Sequence, residues 1–584
     1  MSFVKTVGAP TLWTEGEGHT PTGANASPEA APRSRRPQAR YRHCMHENRE
    51  TSSLAAGSSG SPAGKGDSRK TGMNGGKESD RAIVPMKPAN KAEAQQAKAA
   101  ELAEGRARAK ENTSQAHTPP AQNGQGVSQG LKGVRQAARE RKKEQFTTLL
   151  HHVTEDLLRA SFYALKRKAA PGVDGVTWKQ YEDGLENRLA DLKGRIHRGA
   201  YRAQPSRRIY IPKGNGRQRP IGIATLEDKI VQQCVVTILN EIYEVDFRGF
   251  SYGFRPGRSP HQALDALSVG IQRKRVNWIL DADIRGFFDQ MSHEWTMQFV
   301  QHRVADRRIL RLIQKWLKAG VSEDGEWSET KIGTPQGAVI SPLLANLYLH
   351  HVFDLWVDQW RKKVAQGDVM VVRYADDLVV GFQHKGEAER FLREFAERLA
   401  KFGLELHPDK TRLIEFGRFA LANRQARGEG EPESFAFLGF THSCGINSKG
   451  YFTIRRHTIR QRLEAKLQQV KQKLRERMHE PVARVGEWLG RVLNGFYQYH
   501  AVPGNQRALQ RFRKRIGWYW WQALKRRSQR GRLTVARLNR LTSRWLPSPR
   551  VLHPYPMIRF AATHPRQEPY ALVAPVRICA GGAQ

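Results

Sequence analysis

The sequence predicts an α+β protein with an N-terminal stretch that does not fold and a helical, strongly basic C-terminal part. Three observations carry this expectation. Apolar runs of strand length alternate irregularly with helical stretches from about Phe146 to Tyr451, two apolar runs bracket a turn that bears paired acids, and the composition changes sharply on either side of this region.

Residues 1 to about 85 are rich in Gly, Ser, Pro, Ala and Arg, as in SSLAAGSSGSPAGKGDSRKTGMNGGKESD, and hold too few apolar side chains to build a core. From Pro88 to Lys143 a polar, Ala-, Lys- and Glu-rich segment follows, in which nothing firmer than transient helix is expected. Residues 1–143 are therefore read as a disordered, basic extension. Met45, Met73 and Met86 are alternative starts, an idea that N-terminal sequencing finding Met1 or Ser2 would reject.

The folded body is expected to open with FTTLLHHVTEDLLRASFYAL, where Phe146, Leu149, Leu150, Val153, Leu157 and Leu158 share one helical face. RRIYIPK and WILDADI read as strands, and KIVQQCVVTILNEIY and the stretch Asp306 to Lys318 read as helices. VMVVRYADDLVVGF is two apolar runs around Tyr374 to Asp377, the pattern of a hairpin with acids at its turn. A helix follows in EAERFLREFAERLAKF, with Ala388, Phe391, Leu392, Phe395, Leu399 and Phe402 as its buried stripe. Beyond Tyr451, 28 Lys and Arg stand against 5 Asp and Glu, and Leu463, Leu467, Val470 and Leu474 make an apolar seam between charged flanks. A later helical stretch carries the cluster Trp518 to Trp521.

The 584 residues carry 97 Lys and Arg against 56 Asp and Glu, a formal charge of +41, and a polyanionic partner accounts for that most economically. A ribosomal or chromatin protein, or a basic tail on a neutral enzyme, would satisfy the charge equally well, so motifs must decide. Cys44, Cys234, Cys444 and Cys579 are too scattered for a Cys-x-x-Cys pair, which argues against a disulfide framework and a zinc cage. With no leader-like N-terminus and no run of about 18 apolar residues, a soluble cytoplasmic protein without a membrane partner is expected.

The acids suggest the chemistry. Joining a nucleotide to a strand needs an activated 3′-hydroxyl and a neutralised pyrophosphate, which two Mg²⁺ ions about 4 Å apart supply. Mg²⁺ takes hard oxygen ligands, one or two carboxylates together with waters and phosphates, so acids from separate strands have to converge. Asp283 at the end of WILDAD and Asp376 and Asp377 in YADD are the candidates for catalysis and for metal binding. Paired acids more often simply face solvent, but here apolar strands on both sides force them to a sheet edge. Asp281 could share a face with Asp283, and Asp289 reads as the cap of a following turn.

From about Phe146 to Phe560 the chain resembles group II intron reverse transcriptases. The motifs come in family order: APGVDGVTW, YIPKGNGRQRPIGIATLEDKIVQQ, GFSYGFRPGRSPHQAL, DADIRGFFD, GTPQGAVISPLLANLYLH, RYADDLVVGF, GLELHPDKT and FAFLGF. The resemblance implies a right-hand polymerase fold, with fingers and palm over 144–445 and the thumb and RNA-binding maturase domain X over 446–560, followed by a basic tail at 561–584. It implies an RNA-directed DNA polymerase that also assists intron splicing and retrotransposition, using Mg²⁺ or alternatively Mn²⁺. Its implied partners are the group II intron RNA, an RNA template with a DNA primer, target DNA and deoxynucleoside triphosphates; the oligomeric state is left open.

The resemblance also assigns nucleotide contacts. Lys213 and Arg219 flank the turn GNGRQ where two cations would close on a triphosphate, with Arg217 as a substitute, although an ordinary solvated basic loop has the same composition. Phe288 stands where a bulky ring would exclude a 2′-hydroxyl, its alternative being a core ring beside Phe287. Gln336 of PQG contacts the nucleotide in the family, and Lys410 of HPDKT resembles a lysine that assists pyrophosphate departure. Ala338 stands where the family usually has glycine; a positive φ there would cost about 1 kcal/mol.

In LGRVLNGFYQYHAVPGN, which resembles domain X, Arg491, Phe496, Tyr497, Tyr499 and His500 are candidate RNA contacts that could stack on unpaired bases and neutralise phosphate, or could instead be core. Many relatives carry a C-terminal endonuclease with paired Cys and His; only Cys579 follows domain X here, so no target cleavage is expected. The closing stretch VLHPYPMIRFAATHPRQEPYA reads as a basic tail that either holds nucleic acid or covers the thumb.

Overall fold

In the computed structural model, which describes residues 124–212, 218–527 and 533–563, the alternating pattern resolves into three sheets and a helical C-terminal bundle. In chain order the strands are β1 (Ser206–Pro212), β2 (Gln218–Ile223), β3 (Trp278–Asp283), β4 (Val321–Glu323), β5 (Glu326–Ser328), β6 (Val369–Tyr374), β7 (Asp377–Phe382), β8 (Arg412–Glu415), β9 (Phe435–Phe437), β10 (Phe440–Ile446) and β11 (Phe452–Thr458). They pair as β2-β1-β4-β5, β6-β7-β3-β8 and β11-β10-β9.

The second of these sheets is the centre of the molecule, because side chains alternate along its strands between two cores. Leu280, Ala282, Val369, Val371, Leu378 and Val380 enter the larger one, which the helices Leu226–Asp246 and Lys385–Ala400 help to build. Ile279, Met370, Val372, Tyr374 and Val379 enter the other, closed by the helix Pro260–Arg273 and by β9 to β11. Two-sided burial explains why VMVV is an unbroken apolar run rather than an alternating one. A third core joins the helices Arg460–Glu476, Val482–His500 and Gln506–Lys525, with Leu467, Val470 and Leu474 of the expected seam buried in it.

Two expectations need correction. The folded body begins before Phe146: the helix Gly124–Glu140 lies inside the stretch read as disordered and buries Leu131, Val134 and Ala138. Arg303 caps its end, donating to the carbonyls of Ala138, Arg141 and Glu144. The stretch from Phe146 is not one helix. A short turn at Leu150–His152 is held by Asp306, whose carboxylate accepts from the amides of Leu149 and Leu150 at 2.7 and 2.9 Å, and Thr154 then caps a new helix, Glu155–Ala164. The closing stretch touches both the C-terminal helices and the central region: the amides of Leu552 and His553 donate to the Ala501 carbonyl at 2.9 and 3.2 Å, at the end of the helix Val482–His500. Its helix Pro556–Thr563 packs on Pro260–Arg273, buries Phe560 and pairs Arg559 with the buried Asp265; of the expected tail at 561–584, residues 564–584 lie outside the described residues.

Among the described residues, no helix is long and apolar enough to cross a membrane.

Candidate active site

The three candidate acids meet at one end of the central sheet. β3 and β7 run antiparallel with Asp283 directly opposite Asp377, and β6 and β7 pair Tyr374 with Asp377, leaving Ala375 and Asp376 as a two-residue turn. Cross-strand partners have Cα atoms about 4.5–5.5 Å apart and point to the same face. Asp283 and Asp377 are therefore neighbours, and Asp376 stands beside them at the turn. All three are half-buried. The turn requires a left-handed backbone at its first position, and Ala375 adopts φ +55°, a strain of about 1 kcal/mol or more for a non-glycine residue.

Asp281 shares the face of Asp283 but sits one ladder step further in, opposite Val379, with Arg412 of β8 at 3.9 Å. The segment carrying HPDKT folds over the end of β3: the His407 amide donates to the Asp283 carbonyl at 2.8 Å, and Lys410 Nζ reaches Asp283 Oδ2 at 2.6 Å. Among the described residues, no three His, Cys, Asp or Glu side chains form a ready-made ion cage. An ion that takes one or two carboxylates and completes its shell with water and phosphate does not need one, so the donor set of strand-end carboxylates fits Mg²⁺.

A second group assembles around Asp289, in the short helix Phe287–Gln290 that follows β3. Arg219 on β2 donates from Nε to Gln336 Oε1 at 2.6 Å, and Gln336 Nε2 donates to Asp289 Oδ1 at 3.2 Å. Asp289 was expected to cap a turn; its carboxylate instead orients the Gln336 amide, a pairing across 47 residues that strand and turn signals do not encode. Glycines make the approach possible. A Cβ on Gly333 (φ +86°) would lie 2.9 Å from the Phe288 carbonyl oxygen, and one on Gly337 (φ +121°) would lie 2.7 Å from that of Gly222. Ala338 does not share this conformation and is buried without positive φ, so the extra methyl costs no backbone strain. Phe287 takes the core position while Phe288 stays half-buried against it, rings edge to face at 5.4 Å. Lys213 and Arg217 lie outside the described residues.

The family described as reverse transcriptase (RNA-dependent DNA polymerase) matches residues 211–442. Protein YkfC of Escherichia coli is 33% identical over 317 residues, covering 48% of this chain and 83% of that protein. Group II intron-encoded protein LtrA of Lactococcus lactis is 34% identical over 235 residues, 40% of this chain and 39% of LtrA. A 91 kDa protein in the cob intron of Schizosaccharomyces pombe is 29% identical over 265 residues, 44% and 32% of the two chains. The chain belongs to the group II intron reverse transcriptases. It spans well under half the length of the last two relatives.

Asp283, Asp376, Asp377, Arg219, Phe288, Gln336 and Lys410 of this reverse transcriptase all fall within the matched segment, which implies a right-hand polymerase fold. The candidate RNA contacts fall beyond it and divide. Arg491 is exposed on the helix Val482–His500. Tyr497 is buried in the third core, with its hydroxyl on the Pro547 carbonyl at 3.2 Å. Phe496 stacks on Phe512 with centroids 4.0 Å apart, Tyr499 donates to the Leu438 carbonyl at 2.8 Å, and His500 sits against Phe496 and Phe440. Four of the five thus serve packing, the core alternative that the sequence left open. The signal was there: Leu489, Leu493 and Tyr497 recur every four residues, the spacing of a helix face turned to a core.

Proposed function

We propose that this reverse transcriptase copies RNA into DNA by two-metal nucleotidyl transfer at Asp283, Asp376 and Asp377, and that it binds its group II intron RNA to assist splicing and retrotransposition. The observation that carries the reading is the register that sets Asp283 opposite Asp377 next to the acidic turn. When bound there, two Mg²⁺ ions, or Mn²⁺ in their place, supply the charge that activates the primer 3′-hydroxyl and neutralises the departing pyrophosphate. The chain's own groups do the positioning. Lys410, held against Asp283, would neutralise the leaving group, and Arg219 with Lys213 would clamp the triphosphate. Asp289 fixes which end of the Gln336 amide faces Arg219, and the half-buried ring of Phe288 closes the space that a 2′-hydroxyl would need.

The segment 451–584, with 28 Lys and Arg against 5 acids, is the proposed grip on the intron RNA. Binding should then weaken steeply with salt, because each neutralised phosphate releases counterions. The test is primer extension on an RNA template with Mg²⁺, run beside the D376A/D377A double variant and a splicing assay of the flanking intron. Synthesis and splicing by the unaltered chain are expected, with synthesis alone lost in the variant. DNA made at undiminished rate by the double variant would end the proposal.

A further inference from the structure

The acidic turn is held from behind by a buried polar cluster with no substrate-facing role. Arg373, the residue before Tyr374, is fully buried. It donates from Nε to Asp354 Oδ1 at 2.7 Å and from Nη2 to Oδ2 at 2.5 Å. Its Nη1 donates to Asn346 Oδ1 at 3.0 Å and to the carbonyl of Ala375, inside the turn, at 3.1 Å. Asn346 donates in turn from Nδ2 to the Gly253 carbonyl at 2.7 Å. Gly253 lies so close under the turn that a Cβ there would be 2.2 Å from the Ala375 nitrogen. The chain just before Gly253 runs beside β6, the Arg373 amide donating to the Phe250 carbonyl and the Tyr252 amide to the Arg373 carbonyl. Turn, Arg373, Asn346 and Gly253 close a ring.

The helix that supplies the two anchors is built for this. Between Ser341–Leu349 and Leu355–Lys363 it widens over His350–Asp354, where the Leu355 amide donates to the carbonyl of His350, five residues back. In a regular helix residues eight apart are turned by roughly 80° from each other. One extra residue in the wide turn removes about 100°, which brings Asn346 and Asp354 to within roughly 20° of one face. Both then reach the same guanidinium. Burial alone would push the Asp354 carboxyl up, but the Arg373 guanidinium and His350 together outweigh it and hold the carboxyl below its ordinary value.

We infer that Arg373, Asp354 and Asn346 are positioning residues that set the Ala375–Asp376 turn in the place where its acids can act. They touch neither substrate nor metal. The inference rests on the reading of that turn as catalytic, and its test separates the two. Arg373→Lys keeps the buried cation beside Asp354 but cannot also reach Asn346 and Ala375; Asn346→Ser removes the link to Gly253 without adding bulk. For each variant, backbone amide exchange is followed by peptide across the chain, alongside thermal unfolding, kcat and KM for deoxynucleotide, and affinity for primer-template.

The expected result is at least tenfold faster exchange confined to the peptide spanning Tyr374 to Leu378. A drop in kcat of at least tenfold should accompany it, with KM and primer-template affinity within about twofold. Turn exchange unchanged in either folded variant would overturn the inference, whether or not polymerisation is observed. So would protection lost throughout the central sheet, since the cluster would then serve stability alone. A wild-type chain that makes no DNA but whose variants loosen the turn would remove the catalytic reading and leave the positioning contact standing.

Discussion

Replacing Gly253 with alanine adds one methyl group and tests how tightly the acidic turn is seated. The new Cβ would lie 2.2 Å from the Ala375 nitrogen, 2.9 Å from the Tyr374 carbonyl carbon and 3.0 Å from the Ala375 Cα, all of them backbone atoms that cannot swing aside. Ordinary contact begins near 3.5 Å, so the segment and the turn must part by about 1.3 Å. Overpacking of this kind costs about 1–3 kcal/mol. Gly253 is not in the left-handed region, so alanine adds no backbone strain and recovers about 0.4–1 kcal/mol through the unfolded chain. The net loss is about 0–2.5 kcal/mol, and the protein should fold. A displacement of about 1 Å at reacting groups is enough to cost about 100-fold in rate.

Single-nucleotide extension should therefore show kcat down by roughly two orders of magnitude in G253A, with a melting temperature lowered by only a few degrees. Gly257→Ala is the matched control. Gly257 has φ +70° and open space around the built Cβ, so alanine there costs about 1 kcal/mol of strain without pressing on the turn. It should lower stability to a similar degree and leave kcat within about twofold. Folded G253A with wild-type kcat, or equal kinetic loss in both variants, would refute the reasoning.

Three further perturbations test separate parts of the molecule. Phe288→Val should erode the preference for deoxy- over ribonucleotides by about tenfold or more, worth about 1.4 kcal/mol, in single-turnover incorporation; an unaltered ratio removes the steric role. Burial, then Arg456, lowers His442 to about 3, so below pH 6.5 the unfolded chain takes up a proton that the folded chain refuses. Stability then falls by up to about 1.4 kcal/mol per pH unit between 6.5 and 3, and His442→Phe, which retains the stack on Phe435, should flatten the acid limb of the unfolding free energy by that slope. Lys229, buried beneath the Ala170 carbonyl that it bonds at 2.9 Å, is lowered by burial to about 8. Below pH 8 both states hold the proton and folding bears the cost of burying it; between 8 and 10.5 only the unfolded state does, so the wild type should gain on Lys229→Met by up to about 3 kcal/mol as pH rises, and a constant gap would count against it.

How far the sequence discloses the fold depends on the range of the interactions involved. The hairpin around Tyr374 to Asp377, the strand ending at Asp283 and the stripe from Ala388 to Phe402 are short-range periodicities, and all three reappear in the fold. Lys410 was placed through resemblance, since no local rule brings it to Asp283 across 127 residues. Asp289, Arg373, Asp354 and Asn346 were missed as supports because a buried polar side chain carries no signature until its partner is known. The wide turn at His350–Asp354 is equally silent, for it changes no residue type and only rotates the helix beyond it. The helix Gly124–Glu140 was lost to averaging: its apolar positions Leu131, Val134 and Ala138 are few, and the surrounding composition hides them.

A chain of formal charge +41 has to deliver a polyanion to a spot made of carboxylates, and the fold meets that conflict with local counter-charge. Asp283 and Asp281 are each matched by a cation on or next to β8, Lys410 at 2.6 Å and Arg412 at 3.9 Å. Acids crowded at strand ends repel one another and would splay the hairpin if their backbone were free to move. Here it is not: β6 is buried at every residue, Gly253 abuts the turn, and Arg373 grips the Ala375 carbonyl. The strain of a left-handed alanine is small beside what those contacts fix, which is why it can persist. Acidity at the tip and rigidity behind it are thus two requirements of the proposed site, and on that reading the residues that supply the second matter to its chemistry as the three aspartates do.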